Sequence, residues 1–259
     1  MNTPIGFFDS GVGGTSIWKE VSSLLPFENT LYLADSKNAP YGERAKEEIL
    51  QLSLKNTEFL LDHNCKLIVV ACNTATTNAI SILREKYTVP FIGIEPAIKP
   101  AGLVTKTKKI GILATKGTLN SELFEKTSGK IDPNITIIEQ IGEGLVDLVE
   151  KGEIESDRMN NLLKKYLEPM LKENIDALVL GCTHYPYLTK SIQNVIGTNI
   201  QIIDSGRAVA RQTKNILQKF NLLHQQQTPP EHVFYSNSDS LPLRNLLSDF
   251  NVKIVETDF

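Results

Sequence analysis

The chain has 259 residues, enough for two small domains, and its 41% apolar and 22% charged composition is that of a globular protein with a buried core. A net charge of −3 provides no basic field for nucleic acid, and no run approaches the ~18 apolar residues that cross a bilayer. Three cysteines are too few for a disulfide scaffold and leave one over, so thiols in a reducing compartment are expected.

The opening Met1-Asn2-Thr3-Pro4-Ile5-Gly6 has neither the basic nor the long apolar region of a signal peptide, and the expected location is the cytoplasm. Short apolar runs then alternate with longer helical patterns. Residues 5–8 predict a strand and 15–25 a helix. Strand 31–34 precedes helix 43–61, strand 67–71 precedes a helix through 78–83, and strand 89–94 closes the first set. The second set has strand 110–114, helix 121–126, strand 135–138, a helix over about 157–173, and strands 177–180 and 200–203. A helix over 208–220 and the polar stretch 225–230 follow, then a strand, a helix and a strand. Apolar runs without polar alternation suit parallel strands covered by helices on both faces. The fold class is therefore α/β, with right-handed crossovers.

An internal repeat is visible. Leu67-Ile68-Val69-Val70-Ala71-Cys72-Asn73-Thr74 parallels Ala177-Leu178-Val179-Leu180-Gly181-Cys182-Thr183-His184, with the two cysteines 110 positions apart. Residues 5–8 parallel 110–113, and 89–94 parallel 199–203, at about the same spacing. Two such halves, each with a cysteine at the same point, can face each other across a cleft.

Cys72 and Cys182 each end an apolar strand and precede a polar turn. Ligands of open α/β sheets bind beyond the carboxyl ends of strands, where helix N-termini offer free N–H groups and positive partial charge. That setting predicts a thiol pKa lowered from about 8.5 toward neutrality. Cys65 lies before a strand and reads as incidental. Asp9-Ser10-Gly11-Val12-Gly13-Gly14-Thr15 resembles a phosphate loop only weakly, because Ser16 replaces the last glycine of a dinucleotide fingerprint and no P-loop lysine follows. It reads better as a glycine-rich nest that receives a carboxylate. Asp9, at the strand end, is expected to face the cleft. The segments 35–42 and 115–118 occupy similar strand ends. His184, two residues after Cys182, can hold a proton or stabilise a thiolate. Zinc spacings are absent from the sequence, no metal site is expected, and nothing marks a pyridoxal-phosphate lysine.

Taken together, Asp9-Ser10-Gly11-Val12-Gly13-Gly14, Pro40-Tyr41-Gly42, Ala71-Cys72-Asn73-Thr74-Ala75 and Leu180-Gly181-Cys182-Thr183-His184-Tyr185-Pro186 resemble the ordered motif set of the glutamate racemases, within the wider aspartate/glutamate racemase family. The resemblance covers nearly the whole chain. It implies two quasi-symmetric parallel-sheet lobes with helices on both faces and the active site between them. Lobe one would comprise 1–94 plus 207–259 and lobe two 95–206. It also implies interconversion of L- and D-glutamate without a cofactor, to supply peptidoglycan synthesis.

By position, Cys72 and Cys182 match the catalytic cysteines, and Asp9 and His184 the groups assisting them. Asp9, Ser10, Pro40, Tyr41, Gly42, Asn73, Thr74, Thr115, Thr118, Thr183 and His184 match the substrate-binding set, and Asp35 and Glu150 further acids near the thiols. Many family members carry a proline-containing stretch before the second-lobe glutamate. Residues 141–150 here have none, so Glu143 and Asp147 stand beside Glu150 as alternatives.

Inversion of a stereocentre needs a proton removed on one face and returned on the other, so two bases on opposite faces suffice, one thiolate and one thiol. The substrate-binding candidates contain no arginine. Asn73, Thr74, Thr183 and backbone N–H groups are therefore expected on the α-carboxylate, and Ser10, Tyr41 and the Gly42 N–H on the side-chain carboxylate, with Ser10 and Asp9 near the ammonium. Glutamate is the expected small-molecule partner, with no nucleic acid or membrane partner, and the family's habit of dimerising leaves a homodimer open. Competing readings are an aspartate or hydantoin racemase of the same family, a non-catalytic carboxylate-binding protein, and an interaction module without a substrate-sized pocket.

Overall fold

A computed structural model describes residues 3–259. Met1 and Asn2, which open both the expected first lobe and the stretch read against a signal peptide, lie outside the described residues. Among the described residues there are ten strands: β1 (Ile5–Asp9), β2 (Thr30–Ala34), β3 (Leu67–Val70), β4 (Phe91–Gly93), β5 (Lys109–Ala114), β6 (Thr136–Ile141), β7 (Ala177–Gly181), β8 (Gln201–Ile203), β9 (His232–Ser236) and β10 (Lys253–Glu256). They form two sheets, ordered β10-β9-β2-β1-β3-β4 and β6-β5-β7-β8, and every pairing is parallel. The chain is α/β, as its unbroken apolar runs require: all residues of β1, β2, β3 and β7 are buried, which only a sheet covered on both faces allows.

The repeat appears as topology. The order β6-β5-β7-β8 copies β2-β1-β3-β4, and the register follows, with Ile5 opposite Leu67 and Ile110 opposite Ala177. The tail adds β9 and β10 outside β2 of the first sheet. Successive strand residues point to opposite faces, so each sheet feeds two apolar layers. Phe8, Leu33 and Val70 pack with Ile49, Leu60 and Leu83 on one side. Ile110, Ile112 and Val179 pack with Ile98 and Phe124 on another. The opposite faces share one cluster that runs from Phe7, Trp18 and Val69 to Leu145, Leu163 and Leu188, so the two sheets are joined through apolar contact as well as through the chain.

Some elements differ from the sequence reading. The helices Ile98–Val104, Leu145–Glu150 and Thr189–Ile196 are not predicted. The first contains Pro100 and Gly102. The second is six residues long and starts after Gly144, whose φ of 77° only glycine adopts easily. The third follows a 3-10 turn, Tyr185–Leu188, that contains Pro186. Strand β6 runs three residues past its predicted end because it is an edge strand, where Glu139 and Gln140 cost little. Among the described residues, no helix is long and apolar enough to cross a membrane.

Candidate active site

A narrow cleft lies where the carboxyl ends of the two sheets meet. Ser10 reaches it after β1, Pro40, Tyr41 and Gly42 after β2, and Cys72, Asn73 and Thr74 after β3. From the second sheet come Thr115 after β5 and Cys182, Thr183 and His184 after β7. The equivalent strands β3 and β7 thus deliver one thiol each to a single cavity. Val146, from the helix Leu145–Glu150, also lines it and is absent from the sequence reading. Its signal was its place one helical turn before Glu150.

Cys72 caps the helix Asn73–Lys86, its sulfur accepting the Ala75 N–H at 3.4 Å. The same sulfur lies 3.9 Å from Ser10 Oγ, which donates to Asp9 Oδ1 at 2.9 Å. The expected lowering of this thiol's pKa is not what the structure gives. Burial pushes the Cys72 pKa well up, and the nearby Asp9 charge adds to the rise, outweighing the N–H groups that favour thiolate.

Asp9 stands one layer behind the cleft wall and is completely buried. Burial raises its pKa from 3.8 to about 6, against the pull of His184 and of hydrogen bonds from Thr183 and Ser10. Thr183 Oγ1 donates to Asp9 Oδ2 at 2.7 Å, and Ser16 Oγ donates to the Thr183 carbonyl at 2.8 Å.

On the other side, Cys182 Sγ lies 3.6 Å from His184 Nδ1, and His184 Nε2 lies 2.5 Å from Glu150 Oε1. With a carboxylate as its acceptor, Nε2 carries a proton and Nδ1 faces the thiol. Burial disfavours the imidazolium, yet hydrogen bonds to Cys182 and Glu150 prevail and raise the His184 pKa well above 6.5. Of the three candidate acids, Glu150 is the one that meets His184. Glu143 and Asp147 line a broader outer cleft that shares Pro40, Gly42, Thr115 and Val146 with the inner one.

The glycine-rich loop does receive a carboxylate, and it is the protein's own. Val12 N–H donates to Glu150 Oε1 at 2.7 Å. A Cβ on Gly11 would stand 1.9 Å from that oxygen, and one on Gly13 would stand 2.2 Å from His184 Nδ1. The glycines are there for close approach between the two halves.

The remaining residues divide. Thr74, Thr115 and Thr118 form a hydroxyl cluster, with Thr74 Oγ1 2.8 Å from Thr115 Oγ1 and 3.3 Å from Thr118 Oγ1, and only the first two reach the cleft. Asp35 touches neither thiol. It accepts from the Tyr41 hydroxyl, from Asn38 Nδ2 at 2.8 Å and from Asn237 Nδ2 at 2.5 Å. Asn73 lines the cleft, and neither its Oδ1 nor its Nδ2 has a hydrogen-bond partner, an expensive state for buried polar atoms that a ligand would relieve. Among the described residues, no group of three or more His, Cys, Asp or Glu side chains is placed to hold a metal ion.

Chemically, the cleft offers two thiols, each backed by an acid–base group, and hydroxyl and amide groups for a small polar ligand. Known proteins share its framework. The model of the Asp/Glu/Hydantoin racemase family matches residues 16–213. The glutamate racemase of Ralstonia pickettii (strain 12J) is 44% identical over 245 residues, covering 95% of this chain and 86% of that one. A crystal structure of Escherichia coli glutamate racemase, in complex with L-glutamate and the activator UDP-MurNAc-Ala, superposes with a TM-score of 0.86 at 31% identity, covering 98% and 97% of the two chains. The Francisella tularensis subsp. tularensis SCHU S4 enzyme, in complex with D-glutamate, superposes with a TM-score of 0.85 at 30% identity, covering 99% and 98%. With three quarters of its length inside the family model and this identity to a relative across almost all of it, the chain belongs to the Asp/Glu/Hydantoin racemase family and is an isomerase.

Proposed function

We propose that the chain is a glutamate racemase that interconverts L- and D-glutamate by two-base proton transfer between Cys72 and Cys182, uses no cofactor, and supplies D-glutamate for peptidoglycan synthesis in the cytoplasm. One observation carries this reading: equivalent strands of two repeated sheets bring one thiol each to the same small cleft. The names and ligands of the relatives support the substrate, since one is described with L-glutamate and another with D-glutamate. The two lobes are 1–94 with 207–259, and 95–206.

In this mechanism the thiolate on one face takes the α-proton, and the electron pair left on carbon spreads into the α-carboxylate. The thiol on the other face delivers its proton to that carbon. The two sulfurs exchange states, ready for the reverse direction. Cys182 becomes a thiolate by passing its proton to His184 Nδ1, with Glu150 steadying the imidazolium. Cys72 is served by Ser10 and Asp9. The Asn73 amide, the Thr74 hydroxyl and backbone N–H groups, that of Thr183 among them, hold the α-carboxylate, and the Gly42 N–H, beside Ser10 and Tyr41, meets the distal one. Thr115 and Thr118 set the Thr74 hydroxyl.

Circular dichroism of L- and D-glutamate solutions tests the proposal, with no cofactor added and a chelator present. Both enantiomers should decay to the racemate, and in D₂O the product should carry deuterium at the α-carbon. Racemisation of aspartate or a hydantoin with glutamate untouched would move the chain elsewhere within its family. Binding of glutamate without α-hydrogen exchange would make it a carboxylate-binding protein.

A further inference from the structure

The acids behind the two thiols are held alike. Asp9 lies on the first sheet and takes a hydroxyl from Thr183 beyond the second, whereas Glu150 precedes β7 of the second half and takes a hydroxyl from Ser36 beyond β2 of the first. Each acid is therefore steadied by a hydroxyl from the opposite half. Glu150 uses both oxygens. Oε1 meets His184 Nε2 at 2.5 Å and Val12 N–H at 2.7 Å, and Oε2 accepts from Ser36 Oγ at 3.0 Å. The last torsion of a glutamate side chain is soft, so a donor on Oε2 decides how Oε1 faces the imidazole.

Ser36 is half-buried and is itself fixed. It opens the 3-10 turn Ser36–Asn38 directly after Asp35. Asp35 is tied to Asn38, Tyr41 and Asn237, and the Lys37 N–H donates to Asn237 Oδ1 at 2.9 Å. Asp35, which reaches neither sulfur, thus acts on the site by fixing the turn that presents Ser36.

The geometry points to Ser36 as a positioning residue for the Cys182 half of the reaction, the counterpart of Thr183 in the Cys72 half. Its hydroxyl orients Glu150, which keeps His184 turned with Nδ1 toward the sulfur. The inference rests on the racemase reading. The titratable groups that face His184 are Glu150 and Cys182 in contact and Asp9 through its charge.

A double-mutant cycle decides it, with Ser36→Ala and Ser36→Thr made in the parent and in Glu150→Gln. Loss of a hydrogen bond to a charged group predicts that Ser36→Ala lowers kcat about tenfold or more while KM stays nearly constant. In Glu150→Gln the same change should cost less than about twofold, because the charged acceptor that the hydroxyl orients is already gone, and Ser36→Thr should keep activity within about twofold of the parent. Nitrogen NMR of the His184 ring, without substrate, should show its titration midpoint falling in Ser36→Ala. An unchanged kcat, an equal loss in both backgrounds, or an unmoved His184 midpoint would overturn the assignment. A parent chain inert toward both glutamates would sink the racemase reading instead, and the His184 titration, which needs no turnover, would still judge Ser36.

Discussion

The Thr183 hydroxyl donates to Asp9 Oδ2 at 2.7 Å across 174 residues of sequence, so the residue after one thiol supports the acid behind the other. Removing that donor with Thr183→Val leaves a buried carboxylate oxygen short of a partner. A hydrogen bond to a charged group contributes about 1.5–3 kcal/mol, so the charged form of Asp9 should be disfavoured and kcat should fall roughly tenfold or more. The acidic limb of the kcat/KM profile should move upward from its parent position. An acidic limb that stays in place would mean that the hydroxyl does not stabilise this charge.

Asp9 carries a stability cost that can be measured. Burial raises its pKa to about 6, so between the unfolded value near 3.8 and about 6 the folded chain holds a proton that the unfolded chain has released. Relative to high pH, this group favours the fold below 3.8, and the advantage fades as the pH rises and is gone above about 6. A shift of two pKa units corresponds to roughly 3 kcal/mol. Asp9→Asn removes the titration, so the variant should melt higher than the parent at pH 8 and lose that margin toward pH 4, while racemising poorly. Thermal melts of both chains across this range give the comparison; a constant difference would show that Asp9 ionises normally in the fold.

Cys72→Ser and Cys182→Ser should each lower the racemisation rate by at least about 10²–10⁴, the range for an acid–base group. With one sulfur left, each variant should still exchange the α-hydrogen of one enantiomer without inverting it. The two variants should favour opposite enantiomers in D₂O, as read by proton NMR and chiral chromatography. Exchange of the same enantiomer in both would place the sulfurs on one face.

The pairing of Cys72 with Cys182 was legible because apolar strand, cysteine and polar turn recur in one order, and strand ends in parallel sheets are where loops converge. The fold class followed from unbroken apolar runs such as 67–71. The state of the Cys72 thiol was not legible: a helix start favours thiolate, but burial outweighs it, and burial depends on what the second half lays over the site. The loop at 9–15 reads as accepting a carboxylate, yet nothing local says that the carboxylate is Glu150, 138 residues from Val12. Val146 escapes the sequence, and Ser36 stands in it only as part of the strand-end segment 35–42, for a related reason. Their roles depend on which way a short helix and a 3-10 turn face, and neither element has enough residues to show a periodic pattern.

Gly11→Ala tests the close approach directly. The new methyl would stand 1.9 Å from Glu150 Oε1, so either the carboxylate or the loop must shift. Overpacking of this kind costs about 1–3 kcal/mol of stability. A displacement near 1 Å at an acid–base partner can cost about 10²-fold in rate. The melting temperature and kcat should therefore fall together, with the larger effect on kcat. Parent-like kinetics would show that the contact between the loop and Glu150 is dispensable.

Asn73 separates binding from folding. Its amide is buried at the cleft with both polar atoms unpartnered, a state that costs about 1–3 kcal/mol for each unsatisfied group. A residue placed only for stability would not be left so. Asn73→Ala removes that cost together with a modest amount of packing, so the melting temperature should stay level or rise. Glutamate lost as a partner for the amide should raise KM or lower kcat by roughly tenfold, the worth of about 1.4 kcal/mol. Titration calorimetry with glutamate and thermal melts without it read the two effects separately. Intact glutamate affinity in a destabilised variant would reverse the reading and make Asn73 a packing residue.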